Sequence, residues 1–320
     1  MWVMLVMIAA PIEIVTPPKK YTPVGRCIYC GVFTNSLTKE HIVAHGLAGN
    51  SLVLPKASCT VCQTHTRNAE TACLRHLWWP FRTRLGFPTS GKQPPKDFIV
   101  RQMKVTKLNE DGTIEGYDKT AELRVDPPDF PLMFLTYKFD FPGLIVGRDP
   151  NSGINVEIMM RHNEAEVRKF IPEDKDGIRI APADQDSFCR MLCKIAHAYA
   201  IAELGFGSFR PELTDFIRGK ILHQAWHWIG SNTANPPPEQ RLHDIKWSVP
   251  TVAGRVYVMV SLRLFSFIGA PQYHIVVGEL TRPVDQLPFL DQPLYTIDVK
   301  APLPLGALVP LDKVLGRTGP

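Results

Sequence analysis

The chain has 320 residues, of which 45% are hydrophobic and 21% charged. That balance supplies a sizeable core and excludes a disordered chain. The net charge of +5 is uneven: residues 1–110 hold 14 Lys and Arg against 5 Asp and Glu, a net +9, while the rest holds 22 against 26, a net −4. A basic first third suits a module that meets phosphate, although an ordinary solvated surface would show some of the same scatter.

The opening "MWVMLVMIAAPIEIV" is apolar, but it has no basic leading region, and Glu13 interrupts it short of the ~20 residues a membrane span needs. It reads as a buried first strand or a start codon assigned too early. With no export signal, the cytoplasm is the default compartment and no membrane is expected. There, paired cysteines are more often metal ligands than disulfides.

Residues 21–86 read as one small unit. "GRCIYCG" suits a tight knuckle. "LTKEHIVAHGLAG" suits a short strand and a glycine loop. "QTHTRNAETACLRHLWW" lacks Gly and Pro and suits a helix ending before Pro80. "LWWPF" reads as a packing plug beneath the unit, although Arg67, Arg75, Arg82 and Arg84 around Trp78 and Trp79 also suit a nucleic-acid backbone. "SGKQPPK" (90–96) is the best linker. It divides the chain into domains at 21–90 and 97–320.

Beyond it, "FIVRQMKVTKL", "NEDG" and "TIEGY" predict a β-hairpin. "PLMFLTYKFDF" and "GLIVG" predict further strands. The clearest helix is 187–204, with Phe188, Met191, Leu192, Ile195, Ala196, Tyr199 and Ala202 at helical spacing, Ser187 as its N-cap and Gly205 as its stop. "RPELTDFIRGKIL" predicts a second helix, "NPPPEQ" a loop, and "RVYVMVSLRLFSFI" with "YHIVVGEL" a closing hairpin. Cys189, Cys193 and His197 fall four apart on the main helix, as do His223 and His227 nearer the end. Both sets read as structural.

Four of the seven cysteines form two CxxC pairs, Cys27/Cys30 and Cys59/Cys62, with 28 residues between the pairs. Four thiolates can hold one tetrahedral zinc. Such an ion has no open position, so its role would be structural. It would clamp the strand–loop segment to the start of the helix, replacing the core that so small a unit lacks. Buried thiols or a redox pair are the alternatives for these cysteines.

The order Cys-x-x-Cys, then Glu40-His41, then a glycine loop, then a Cys-x-x-Cys that opens a helix resembles the four-cysteine branch of the HNH (ββα-metal) endonucleases over residues 24–80. The resemblance implies an α+β protein: a small zinc-stapled ββα-metal unit followed by a larger mixed α+β region. It implies His41 as the general base that activates water, and Glu40 as a ligand of a catalytic Mg2+ or Mn2+. Gln63 stands where the family usually has Asn to complete that site, with His65 and Asn68 further along the same helix. Ala44 replaces a frequent proline. His45 could contact phosphate or metal, and Asn50 suits a turn. The expected substrate is DNA, cut at its phosphodiester bonds. The C-terminal region would select the target, sense a signal or join copies into a homo-oligomer. Gln63 also favours a rival reading, a zinc-ribbon module that binds nucleic acid without cutting it.

Overall fold

In the computed structural model, described residues are 12–89, 98–110, 114–126, 129, 132–162, 164–179, 184–220, 225–287, 294–300 and 309–310. The fold is mixed α+β, with several sheets. The proposed linker and most of the opening apolar stretch lie outside the described residues.

The first unit comprises β1 (Lys19–Lys20), β2 (Thr38–His41), α1 (His45–Ala48), β3 (Leu52–Ser58) and α2 (Thr60–Ala72). β2 and β3 are antiparallel, with Glu40 opposite Leu54 and His41 opposite Val53; β1 joins the other edge of β3 in parallel. The expected glycine loop contains the single helical turn α1, with Gly46 inside it. The helix expected to end before Pro80 instead passes from α2 through a π-turn at Cys73–Leu77 into α3 (Trp79–Arg84). Pro80 is accommodated because it lies at the start of α3, where its missing N–H costs no helical bond.

Next come β4 (Phe98–Leu108), β5 (Ile114–Val125), β6 (Met133–Phe139), α4 (Gly143–Val146), β7 (Val156–His162), α5 (Glu164–Arg168) and β8 (Gly177–Arg179). The expected hairpin is present as β4–β5, and β6 is a strand paired with β7. "GLIVG" is not a strand. It forms α4, closed by Gly147 in the left-handed region at φ 69°. So short an apolar run carries no period that separates the two states.

The remainder is α6 (Gln185–Leu204), β9 (Phe209–Pro211), α7 (Thr214–Ile217), α8 (Ala225–Trp228), β10 (Ile229–Ser231), β11 (His243–Ser248), β12 (Thr251–Val252), β13 (Arg255–Leu264), β14 (Tyr273–Leu280), β15 (Tyr295–Ile297) and β16 (Val309–Pro310). The closing hairpin is β13–β14, inside a sheet ordered β10-β14-β13-β11-β15. The second expected helix shrinks to α7, because "FRP" joins β14 as β9.

α6 ends at Gly205 as expected, but its N-cap is Asp184, whose carboxylate accepts from the Ser187 N–H at 3.1 Å. It packs on α2 on one side and on β13 and β14 on the other. Consequently 15 of its 20 residues are buried, well beyond one apolar stripe. A single buried cluster takes in residues from the cysteine unit, α6 and the large sheet. Trp78 is the expected plug: it is 1% exposed, donates from Nε1 to the Leu135 carbonyl at 2.9 Å, and its ring centroid lies 4.9 Å from that of Phe265.

Candidate metal centre and the helix behind it

The first cysteine pair sits on a turn in which the Gly31 N–H donates to the Cys27 carbonyl at 2.8 Å and the Cys27 N–H to Val32 at 2.9 Å. Gly31 has φ 75°, a conformation that glycine adopts without strain. The Ile28 N–H bonds the Ala57 carbonyl at 2.8 Å, which fixes this turn beside the end of β3. The second pair opens α2. The sulfurs of Cys27, Cys30, Cys59 and Cys62 all lie within 4.8 Å of one another, and Cys30 and Cys59 are 3.7 Å apart. Four sulfurs around a tetrahedral ion at about 2.3 Å would be spaced about 3.8 Å apart. The donor set therefore fits a metal ion such as zinc. Burial raises the thiol pKa of Cys27 and, with the added charge of Cys27, that of Cys62; a bound cation reverses this. Among the described residues no other set of three or more His, Cys, Asp or Glu side chains converges in this way.

Behind this unit, α6 grips main-chain oxygens. His197 Nε2 donates to the Ile28 carbonyl at 2.8 Å. Lys194 Nζ donates to the carbonyls of His41 and Ile42, the latter at 3.2 Å. Arg190 reaches the His65 carbonyl at 3.4 Å. Positions 190, 194 and 197 share one helical face. The Cys189–Cys193–His197 spacing is therefore no metal stripe: the two thiols are fully buried and His197 is a clamp.

Glu40 does not face open solvent. Its side chain is 5% exposed, and Oε1 lies 2.7 Å from Lys194 Nζ. The same ammonium lies 2.7 Å from Glu70 Oε1, on α2. Burial alone would push the Lys194 pKa down; the two carboxylates outweigh it and hold it above its ordinary value. The α2 residue that shares a partner with Glu40 is thus Glu70. Gln63 lies half-buried in the first turn of α2, and its side chain makes no hydrogen bond to Glu40 or His41 among the described residues. Neither Glu70 nor Lys194 was marked by sequence reasoning. The available signal was a lysine within the apolar run of α6, since a buried lysine needs carboxylate partners.

His41 ends β2 half-buried, and its ring lies edge-on to His45 with centroids 5.5 Å apart. Burial, with the charges of Lys39 and Lys194, pushes its pKa down to about 4, so the imidazole is neutral at pH 7. The Nδ1 atoms of both rings are buried without hydrogen-bond partners. The turn of α1 that begins at His45 is braced by a buried arginine. Arg82, 7% exposed, donates to the carbonyls of Gly46, Leu74 and Pro88 at 3.0 to 3.1 Å, so it is an internal brace and not a surface cation. Arg67 and Arg75 remain exposed, as do Asn50 and Asn68, and His65 is half-buried.

On the outer side of the first cysteine turn, Phe33 is 66% exposed and the Arg26 guanidinium stacks over its ring at 3.8 Å. Arg26 also lies 4.8 Å from the ring of Phe206, which is 40% exposed. This aromatic–cation surface was not anticipated, because Phe206 is remote in sequence. No helix among the described residues is long and apolar enough to cross a membrane. Comparison with family models, with curated proteins and with solved structures gives no match for this chain.

Proposed function

We propose that the chain is a zinc-stapled nuclease that hydrolyses phosphodiester bonds in DNA, with His41 as the general base. The observation that carries this reading is the placement of His41: a half-buried neutral imidazole, directly after Glu40, at the end of a strand paired with β3, which leads into the four-cysteine centre. A neutral imidazole accepts a proton from water, and an anionic phosphate beside it strengthens the weak base that burial creates. Zinc at the four sulfurs fixes the knuckle to the start of α2 and takes no part in the chemistry. A Mg2+ or Mn2+ ion at Glu40, once that carboxylate is released from Lys194, would supply electrostatic stabilisation of the leaving oxygen. The net +9 on residues 1–110 and the Arg26–Phe33 stack suit a nucleic-acid partner. The test is plasmid nicking with Mg2+ or Mn2+ by the wild type and by His41→Ala; nicking by the wild type alone supports the proposal.

The ion pair of Glu40 with Lys194 favours a second reading, in which the unit binds nucleic acid without cutting it. Equal inactivity of both proteins, with DNA binding retained by both, would select that reading.

A further inference from the structure

The ammonium of Lys194 sits in a cage of oxygen atoms. Glu40 Oε1 and Glu70 Oε1 lie 2.7 Å from it, and the carbonyls of His41 and Ile42 accept hydrogen bonds from it. Lys194 is 1% exposed, and the two carboxylate side chains are 5% and 19% exposed. A fifth oxygen belongs to the same region. The Tyr29 hydroxyl is buried with no hydrogen-bond partner, although the phenol is close enough to Glu40 and Glu70 to feel both charges.

These are hard oxygen donors in number and kind suited to a hard divalent ion. The charge count points the same way. Two carboxylates against one ammonium leave a negative charge unmatched, whereas a divalent ion balances both. An ammonium also offers only three donors for the four oxygens within its reach. Two of the cage oxygens belong to the main chain of His41 and Ile42, so whatever cation occupies the cage sets the end of β2.

We propose that Glu40, Glu70 and the carbonyl oxygens of His41 and Ile42 form a divalent-cation site whose resident cation is the Lys194 side chain, so that Lys194 and a Mg2+- or Mn2+-class ion compete for it. Any consequence for catalysis rests on the nuclease reading above: Lys194 is then a plug that keeps Glu40 from the ion. Cation binding itself does not depend on that reading.

The experiment uses the full chain, zinc-loaded and then freed of other metals, with Mn2+ as the probe. Free Mn2+ is followed by electron paramagnetic resonance during titration of the wild type, Lys194→Met and Lys194→Met/Glu70→Gln. The expected result is one Mn2+ site in Lys194→Met at least tenfold tighter than in the wild type, weakened at least tenfold again by Glu70→Gln. A folded Lys194→Met protein that binds Mn2+ no better than the wild type overturns the proposal. Should Lys194→Met fail to fold in metal-free buffer, millimolar Mn2+ is expected to restore its thermal transition, since the ion replaces the missing charge. Failure to fold in either buffer overturns the proposal as well. Plasmid nicking runs in parallel: Mn2+ bound without nicking sinks the nuclease reading alone, and nicking without this Mn2+ site sinks the cation site alone.

Discussion

His197 Nε2 donates to the main-chain oxygen of Ile28 at 2.8 Å, joining the centre of α6 to the turn that carries the first cysteine pair. His197 is fully buried, and its other ring nitrogen has no hydrogen-bond partner. His197→Ala leaves the Ile28 carbonyl unpaired and opens a cavity beside Tyr29, whose ring centroid lies 5.7 Å away. The expected loss is about 2–4 kcal/mol, read by urea unfolding. Bound zinc should stay at one per chain, because the lost hydrogen bond goes to the Ile28 carbonyl and not to a cysteine sulfur. Unchanged stability would show that the clamp is idle.

The cysteine centre predicts a sharper effect. Cys62→Ser removes a buried ligand at the start of α2. Zinc measured by atomic absorption should fall from one per chain to none. The thermal transition should drop by more than 10 °C, since binding a structural metal is part of such a unit's folding energy. A chelator should produce the same shift in the wild type. If the unsubstituted chain carries no zinc when purified with all four thiols reduced, the metal assignment is wrong.

Acid should unfold the protein early. Burial lowers the pKa values of His197, His243 and His274 to about 4, against 6.5 ordinarily. His243 shows why a second proton is refused: its Nε2 donates to the Leu47 carbonyl at 3.2 Å, while its Nδ1 accepts from the Phe265 N–H at 3.0 Å. A group whose folded pKa is depressed leaves stability intact above its unfolded value, near 6.5, and erodes it as pH falls towards 4. In that window the unfolded chain binds more protons. Each histidine contributes a slope of at most about 1.4 kcal/mol per pH unit. Urea midpoints at pH 7.5, 6.0, 5.0 and 4.5 should fall progressively. A flat profile would show that these rings are already charged or already reached by water.

For nucleic-acid contact, Phe33→Ala is the informative change. The ring is 66% exposed and supports Arg26, so its loss should leave folding unaltered. Stacking on an aromatic ring is worth about 1–3 kcal/mol per base, so affinity for single-stranded DNA should fall by roughly 5- to 150-fold, read by fluorescence anisotropy at fixed salt. Affinity equal to the wild type would remove this surface from the interface.

Much of the fold was legible in local patterns. The helix ending at Leu204, the β4–β5 and β13–β14 hairpins and the four-cysteine centre each follow from residues close in sequence or from a strong spacing signal. What escaped depends on distant partners. Lys194 stands within the apolar run of α6, where periodicity alone names no partner. It is buried because α2 covers one side of the helix while β13 and β14 cover the other. Its partners, Glu40 and Glu70, are more than a hundred positions away, beyond any periodicity. The bracing role of Arg82 is hidden for the same reason: the carbonyls it holds converge only once α1 and α3 have packed. Ser187 looked like the cap, but an acid stood three residues earlier and claimed its N–H.

The grip of α6 has a consequence for how the cysteine unit can change. Arg190, Lys194 and His197 hold oxygens of the peptide chain, which every amino acid supplies. Side chains on the outer face of the unit can therefore be exchanged without unseating it. The same three contacts leave little slack. A small slide of the helix would be transmitted directly to the backbone of His41 and Ile42.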